Sequence, residues 1–174
     1  MVARRVPFAI VGAGPGGLAL ARCLREKIGH GSVALFDGRP CLPRPVERGL
    51  GIWNNAARCL NELVGTEGDL GGRGRLIPPA AYRNLAGRWL SRCRQTEANL
   101  KKVLSVEQNA LFSLLADGAG DGELNFGAEL LSSSFSRGVH RYVLAEPADV
   151  LSVLGSVVVC GTQLTPSRLC SRLC

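Results

Sequence analysis

Phe8-Ala9-Ile10-Val11-Gly12-Ala13-Gly14-Pro15-Gly16-Gly17-Leu18-Ala19-Leu20-Ala21 is the stretch that decides the fold. An uncharged apolar run, a glycine turn and a second apolar run read as a buried strand, a tight turn and the first turns of a helix. That arrangement presents unpaired backbone N–H groups, and the positive end of a helix dipole, to a pyrophosphate. Gly12 permits the sharp turn, and Gly14 lets phosphates approach the backbone. Gly17 lets helix and strand pack closely, and Ala21 keeps that packing tight one turn later. Gly12, Ala13, Gly14, Pro15, Gly16 and Gly17 are therefore the candidate binding loop of a dinucleotide.

The flanking sequence supplies the context that such a loop requires. A helix is predicted from Gly16 to about Lys27, with Leu18, Ala21, Leu24 and Ile28 near helical spacing and Gly29 and Gly31 ending it. Val33-Ala34-Leu35-Phe36 reads as a second buried strand, closing a βαβ unit of about 30 residues. Asp37 stands at the carboxyl end of that strand, 20 residues beyond Gly17. An acid there can accept hydrogen bonds from both ribose hydroxyls of an adenosine. The pattern does not separate FAD from NAD. Asp37 leans against NADP, whose 2′-phosphate it would repel, while nearby Arg39 keeps that cofactor open.

The totals bound the rest. With 174 residues and 46% hydrophobic residues, the chain has a globular composition and length enough for one core. Met1 to Arg5 runs straight into the first strand, which reads as no presequence. The expected compartment is the cytoplasm, with the mitochondrion as the alternative. No apolar run approaches the roughly 20 residues that span a bilayer, and Val150 to Cys160 reads as a buried strand. The net charge of +7 is carried mostly by scattered arginines, with lysine only at 27, 101 and 102. No basic run with interleaved aromatics marks a nucleic-acid surface, and mild attraction for anionic ligands is the most this charge implies. Seven cysteines without a CxxC pair read as free thiols in a reducing compartment. Cys23 and Cys59 fall in helical patterns as small core residues, and Cys170 and Cys174 lack partners for a zinc site. His30 and His140 have no spaced partner for a catalytic triad and read as loop or surface residues.

Further along, Gly38 to Glu47 is a Pro- and Arg-rich loop. Trp53 to Val64 reads as an amphipathic helix with Ala56, Cys59, Leu60, Leu63 and Val64 on one face. Gly65 to Arg75 reads as a mobile glycine-rich connection. Arg75 to Cys93 could form a hairpin turning at Asn84-Leu85-Ala86-Gly87. A helix follows from Glu107 to Ala116, with Leu111, Leu114 and Leu115 inward, then a loop over Asp117 to Gly122. Strand-like runs are predicted at Glu123–Gly127, Glu129–Phe135, Arg141–Ala145 and Val150–Val159. The order implies one α/β domain over residues 1–174. It has a βαβ core at 6–40, an excursion over 41–147 that inserts a mixed β-sheet, and a return strand within 150–161.

With these residues in view, the chain resembles the amino-terminal portion of the FAD-dependent aromatic-ring and ubiquinone-biosynthesis monooxygenases, the p-hydroxybenzoate hydroxylase group. The resemblance is carried by Ile10 to Ala21 together with Phe36-Asp37-Gly38-Arg39-Pro40, and runs in order from about Pro7 to Gly127. The family has Glu then Arg where this chain has Asp37 and Gly38. Arg48-Gly49-Leu50-Gly51-Ile52 before Asn55 to Leu60 is similar to the family's Arg-loop, which implies that Arg48 contacts the ribityl or phosphate region of the flavin. A planar guanidinium beside a phosphate is chemically apt, and a solvated loop arginine is the plain alternative. Val106 to Leu115 resembles the helix whose first polar residue faces the cofactor. That implies a cofactor role for Gln108, beside Glu107, where simple helix capping is the alternative.

The resemblance implies a Rossmann-like FAD-binding domain and, as function, hydroxylation of a small aromatic substrate. NAD(P)H is the electron donor, oxygen the oxidant, and the redox chemistry belongs to the cofactor. It calls for no protein acid or base and leaves open a partner chain, while the residues themselves mark no metal site and no nucleic-acid surface. The chain departs from the family where Val158-Val159-Cys160-Gly161-Thr162-Gln163 stands in place of an apolar strand followed by Gly-Ala-Asp-Gly, and where the later Gly-Asp segment is absent. It is expected to be incomplete relative to the family. Two alternatives stay open: a non-catalytic dinucleotide-binding or interaction module, and an NAD-linked reductase domain.

Overall fold

Parallel strands covered on both faces must be apolar throughout, and Phe8 to Val11 and Val33 to Phe36 meet that demand. In a computed structural model of the chain the described residues are 2–42, 48–65, 74–77, 81–91, 103–120, 122–136, 139–145, 150–155 and 157–160. They form two compact units, Met1–Pro45 with Phe112–Cys174, and Val46–Leu111.

The first unit begins with β1 (Val2–Arg5) and β2 (Phe8–Val11), then α1 (Pro15–Ile28) and β3 (Val33–Asp37). Its later strands are β9 (Leu124–Phe126), β10 (Glu129–Ser136), β11 (Val139–Ala145), β12 (Val150–Gly155) and β13 (Val157–Cys160). One sheet is parallel in the order β13-β2-β3-β9, and the other runs β1-β12-β11-β10. β2 pairs with β3 in the register Ile10 to Leu35 and with β13 in the register Ile10 to Val159.

Alternation of side chains across the strands divides the core in two. Ala9, Ala34 and Phe36 pack with Tyr142, Leu144 and Val153 of the second sheet, together with Val6 and Ala128. Ile10, Leu35 and Val33 lie on the opposite face of the strands, and Ile10 borders Gly17 of α1. Phe36, Ile10, Leu18 and Leu35 are fully buried. At roughly 25 cal/mol per Å² of apolar surface, burial of this kind is the dominant favourable contribution to folding.

The second unit holds β4 (Gly49–Ile52), α2 (Asn54–Val64), β5 (Gly74–Ile77), β6 (Tyr82–Arg83), β7 (Trp89–Ser91) and β8 (Val103–Glu107). β8 lies between β4 and β5 in an antiparallel sheet. β6 and β7 form the hairpin expected around Asn84, closed by Gly87 N–H donating to Asn84 O at 2.9 Å. Gly87 has φ 75°, a backbone region that glycine enters without strain. The Arg83 guanidinium sits 3.7 Å from the centre of the Trp89 ring across the hairpin, the geometry of a cation–π contact. α3 (Gln108–Ala116) follows β8 directly.

Several expectations need correction. Glu107 closes β8 and does not open the helix. Residues 75–77 pair with β8 and lie outside the hairpin, and Arg48 leads into strand β4 where a loop is expected. The strands β1, β4 and β8 were not anticipated: Arg4 and Arg5 interrupt the first, and glycines the second. Val150–Val159 is two strands in two sheets. Gly155 ends the first of them in a tight place, where a Cβ would lie 3.3 Å from Val6 O and 3.4 Å from Ala9 N.

Ile28 is half exposed, at 49%, and the buried positions of α1 are Gly17, Leu18, Ala21 and Arg25. No residue of α2 is buried, and Ala56 and Cys59 are exposed. Phe112 joins Leu111, Leu114 and Leu115 among the buried residues of α3. His30 lies exposed in a turn, whereas His140 belongs to β11. Residues 43–47, most of the 65–75 connection, and Gly161 onward with Cys170 and Cys174 lie outside the described residues. Among those described, no helix is long and apolar enough to cross a membrane, and no group of His, Cys, Asp or Glu could hold a metal ion.

Candidate dinucleotide site

The glycine loop sits at the carboxyl end of β2. Gly12 takes φ 103°, a conformation that L side chains rarely adopt, and its N–H donates to Phe36 O at 2.7 Å. Gly14 is the residue before the helix, and Pro15 opens α1 at the position where its fixed φ suits the first turn. No side chain caps this end and no acid lies in the first turn, so its leading N–H groups are left to whatever lies in front of them.

Gly17 is compulsory. A Cβ at that position would fall on the carbonyl oxygen of Gly12. Gly14 and Gly16 are different: a Cβ at either meets nothing within 4 Å. These two glycines leave the loop backbone bare on its open side, and Gly17 ties its other side to the turn. A ligand carrying negative charge fits such a surface, through both the free N–H groups and the helix dipole.

Asp37 completes the geometry. Its side chain is nearly buried, and Oδ2 accepts from Ala13 N–H at 2.6 Å, which pins the loop to the next strand. Oδ1 accepts from Arg39 N–H at 2.9 Å and Arg39 Nε at 2.8 Å, and Oδ2 accepts from Arg39 Nη2 at 2.8 Å. Burial alone would push the Asp37 carboxyl up. The guanidinium of Arg39 and the N–H groups of Arg39 and Ala13 outweigh that and hold it below its ordinary value. The Asp37 carbonyl accepts from Ala128 N–H, and the Arg39 carbonyl from Gly127 N–H, so the segment after β3 is anchored on both sides.

A buried ion pair, not foreseen from the sequence, braces the far end of α1. Arg25 Nη1 lies 3.2 Å from Glu123 Oε2, with both side chains 7% exposed. Arg25 also donates to Asp117 O at 2.7 Å, while Glu123 accepts from Gly120 N–H at 2.8 Å. Burial raises the Glu123 carboxyl, but these donors and Gly31 N–H bring it below the ordinary carboxylate range. The available signal is an arginine four residues after Ala21 on the apolar stripe, since a buried guanidinium requires a distant acid.

Asp37 and Glu123 share a pH consequence. A carboxyl whose pKa is lower in the folded chain contributes stability above its unfolded value, and loses it as pH falls through the folded one. We expect stability to be level in these two groups between about pH 5 and 8 and to fall below about pH 4. Urea midpoints at descending pH check this, and Asp37→Asn should flatten part of the fall.

Of the sequence-predicted site residues, Gly12 to Gly17, Asp37 and Arg39 come together in the first unit. Arg48 and Gln108 meet in the second: Gln108 N–H donates to Arg48 O at 3.0 Å, with Arg48 exposed and Gln108 half buried as the first residue of α3. β13, the strand that carries Val158 and Val159, runs parallel beside β2, and Gly161 to Gln163 lie outside the described residues.

A parallel sheet, an uncapped helix behind a glycine loop and an acid ending the next strand define a Rossmann-type dinucleotide-binding fold. A family model described as an NAD(P)-binding Rossmann-like domain matches residues 10–42. The fold is similar to part of that of several flavin-dependent monooxygenases. The p-nitrophenol 4-monooxygenase PnpA from Pseudomonas putida superposes with a TM-score of 0.77 at 18% identity, over 95% of this chain and 43% of that one. The flavin-dependent monooxygenase PieE, solved with FAD and substrate, gives 0.74 at 19%, over 97% and 32%. The anhydrotetracycline hydroxylase OxyS from Streptomyces rimosus gives 0.68 at 19%, over 91% and 32%. The chain thus spans less than half the length of these solved chains. No curated protein matches it in sequence.

Proposed function

We propose that this chain is the FAD-binding part of a flavin-dependent monooxygenase that hydroxylates an aromatic or quinone-precursor ring with NAD(P)H and oxygen. The observation that supports it most is the uncapped start of α1, behind glycines that face open space, with Asp37 hydrogen-bonded to the loop at Ala13. These residues fit the adenosine diphosphate half of FAD. In this reading the backbone from Gly14 to Gly17 meets the phosphates, Asp37 accepts from the ribose with Arg39 beside it, and Arg48 and Gln108 are assigned to the flavin half by family resemblance. FAD, when bound, supplies the redox chemistry, and the chain supplies placement. The small aromatic substrate belongs to the same proposal and rests on the family resemblance. The cytoplasm suits Cys23, Cys41 and Cys59, all free thiols.

Titration of the purified chain into FAD, read by fluorescence polarisation, tests the reading. We expect a colourless preparation that binds added FAD weakly, with ADP competing and nicotinamide mononucleotide not. Absence of binding, or binding that ADP does not displace, contradicts it.

A further inference from the structure

Asp37 is the residue assigned to the ribose in that reading, and its acceptor positions are engaged within the chain. An ionised carboxylate offers about four lone-pair positions. Four hydrogen bonds reach Asp37: Arg39 N–H and Nε on Oδ1, Ala13 N–H and Arg39 Nη2 on Oδ2. The two backbone donors belong to the loop and the strand end, and stay wherever the fold stays. The two side-chain donors differ in kind. They come from one guanidinium fork, bound bidentately at 2.8 Å to each oxygen, and its side chain is 34% exposed, open to displacement.

A vicinal ribose diol also presents two neighbouring donors to a single carboxylate. Guanidinium and diol therefore compete for the same two acceptor positions. We propose that the Arg39 guanidinium is an internal stand-in for the ribose diol, closing the adenosine position until a nucleotide displaces it. The inference rests on the nucleotide-site reading above and adds a selection step to it. Because Arg39 neutralises Asp37 while seated, the closed form also spares the chain a nearly buried, unpaired charge. Binding is weakened by the fraction of time the fork is seated, as for any ligand that needs a minority conformation.

The test uses the full chain and ADP as the probe, measured by isothermal titration. With a fork seated about nine-tenths of the time, Arg39→Met should bind ADP about tenfold more tightly than the native chain. The gain should vanish with 2′,3′-dideoxyadenosine diphosphate, which has no diol. Arg39→Lys, which cannot present a fork, should fall between. In the native chain, the Nε–H resonance of Arg39 should be protected from exchange without ligand and lose that protection when ADP saturates the site. Native-like binding by Arg39→Met, weaker binding, or an equal gain with the dideoxy ligand overturns the stand-in while leaving the nucleotide site intact. Failure of both native chain and variant to bind ADP overturns the two together.

Discussion

Gly17→Val should unfold the loop end of the first unit and abolish nucleotide binding in one step. The first carbon of any side chain at this position would overlap the Gly12 carbonyl oxygen, which is backbone and cannot rotate aside. Gly12 is itself held by its bond to Phe36 O and by φ 103°. Helix and loop must then separate, exposing Leu18 and Ile10, both 1% exposed in the native packing. Overpacking of this kind costs about 3 kcal/mol or more, which lowers the melting temperature by roughly 6–12 °C in a chain of this size. Gly16→Ala is the control. Its Cβ enters open space, so the melting temperature should hold while ADP affinity falls, because that space is where the phosphates are placed. Calorimetry and ADP titration of both variants separate a structural role from a binding one.

The second large effect lies at the other end of α1. Glu123→Leu removes the partner of a buried guanidinium and leaves the N–H of Gly120 without its acceptor. Removing one member of a buried pair costs about 3–5 kcal/mol, because a desolvated charge remains. That is a large share of the roughly 5–15 kcal/mol that stabilises a folded domain. Arg25→Met together with Glu123→Leu should be less destabilised than Glu123→Leu alone, since the stranded charge is gone. Urea unfolding of the two singles and the double measures the coupling. Strict additivity would show that the pair is not coupled.

The parts of this fold that local chemistry dictates could be read from the sequence. β2, α1 and β3 carry their own signals: unbroken apolar runs, Pro15 at the helix start and Gly29 at its end. The turn at Asn84 to Gly87 is equally local. What escaped depends on residues far apart in the chain. β1 exists because β12 lies beside it, about 150 residues later. The division of Val150–Val159 between two sheets falls where Gly155 comes close to Ala9 and Val6, an approach that no run of apolar residues can encode. The site shows the same limit. The spacing of Gly17 and Asp37 located the carboxylate, but its saturation by Arg39 depends on how the turn after β3 folds back. Arg25 stands on the apolar stripe of α1, but its partner Glu123 lies 98 residues away in sequence, a pairing no local pattern specifies.

In the proposed function a diphosphate rests on the amides that begin α1. Titrating the isotopically labelled chain with ADP and following backbone amide shifts locates the contact directly. The largest shifts are expected at Gly14, Gly16 and Gly17, with Ala13 and Arg39 responding through Asp37. Saturable shifts centred elsewhere, with those amides unmoved, would contradict it.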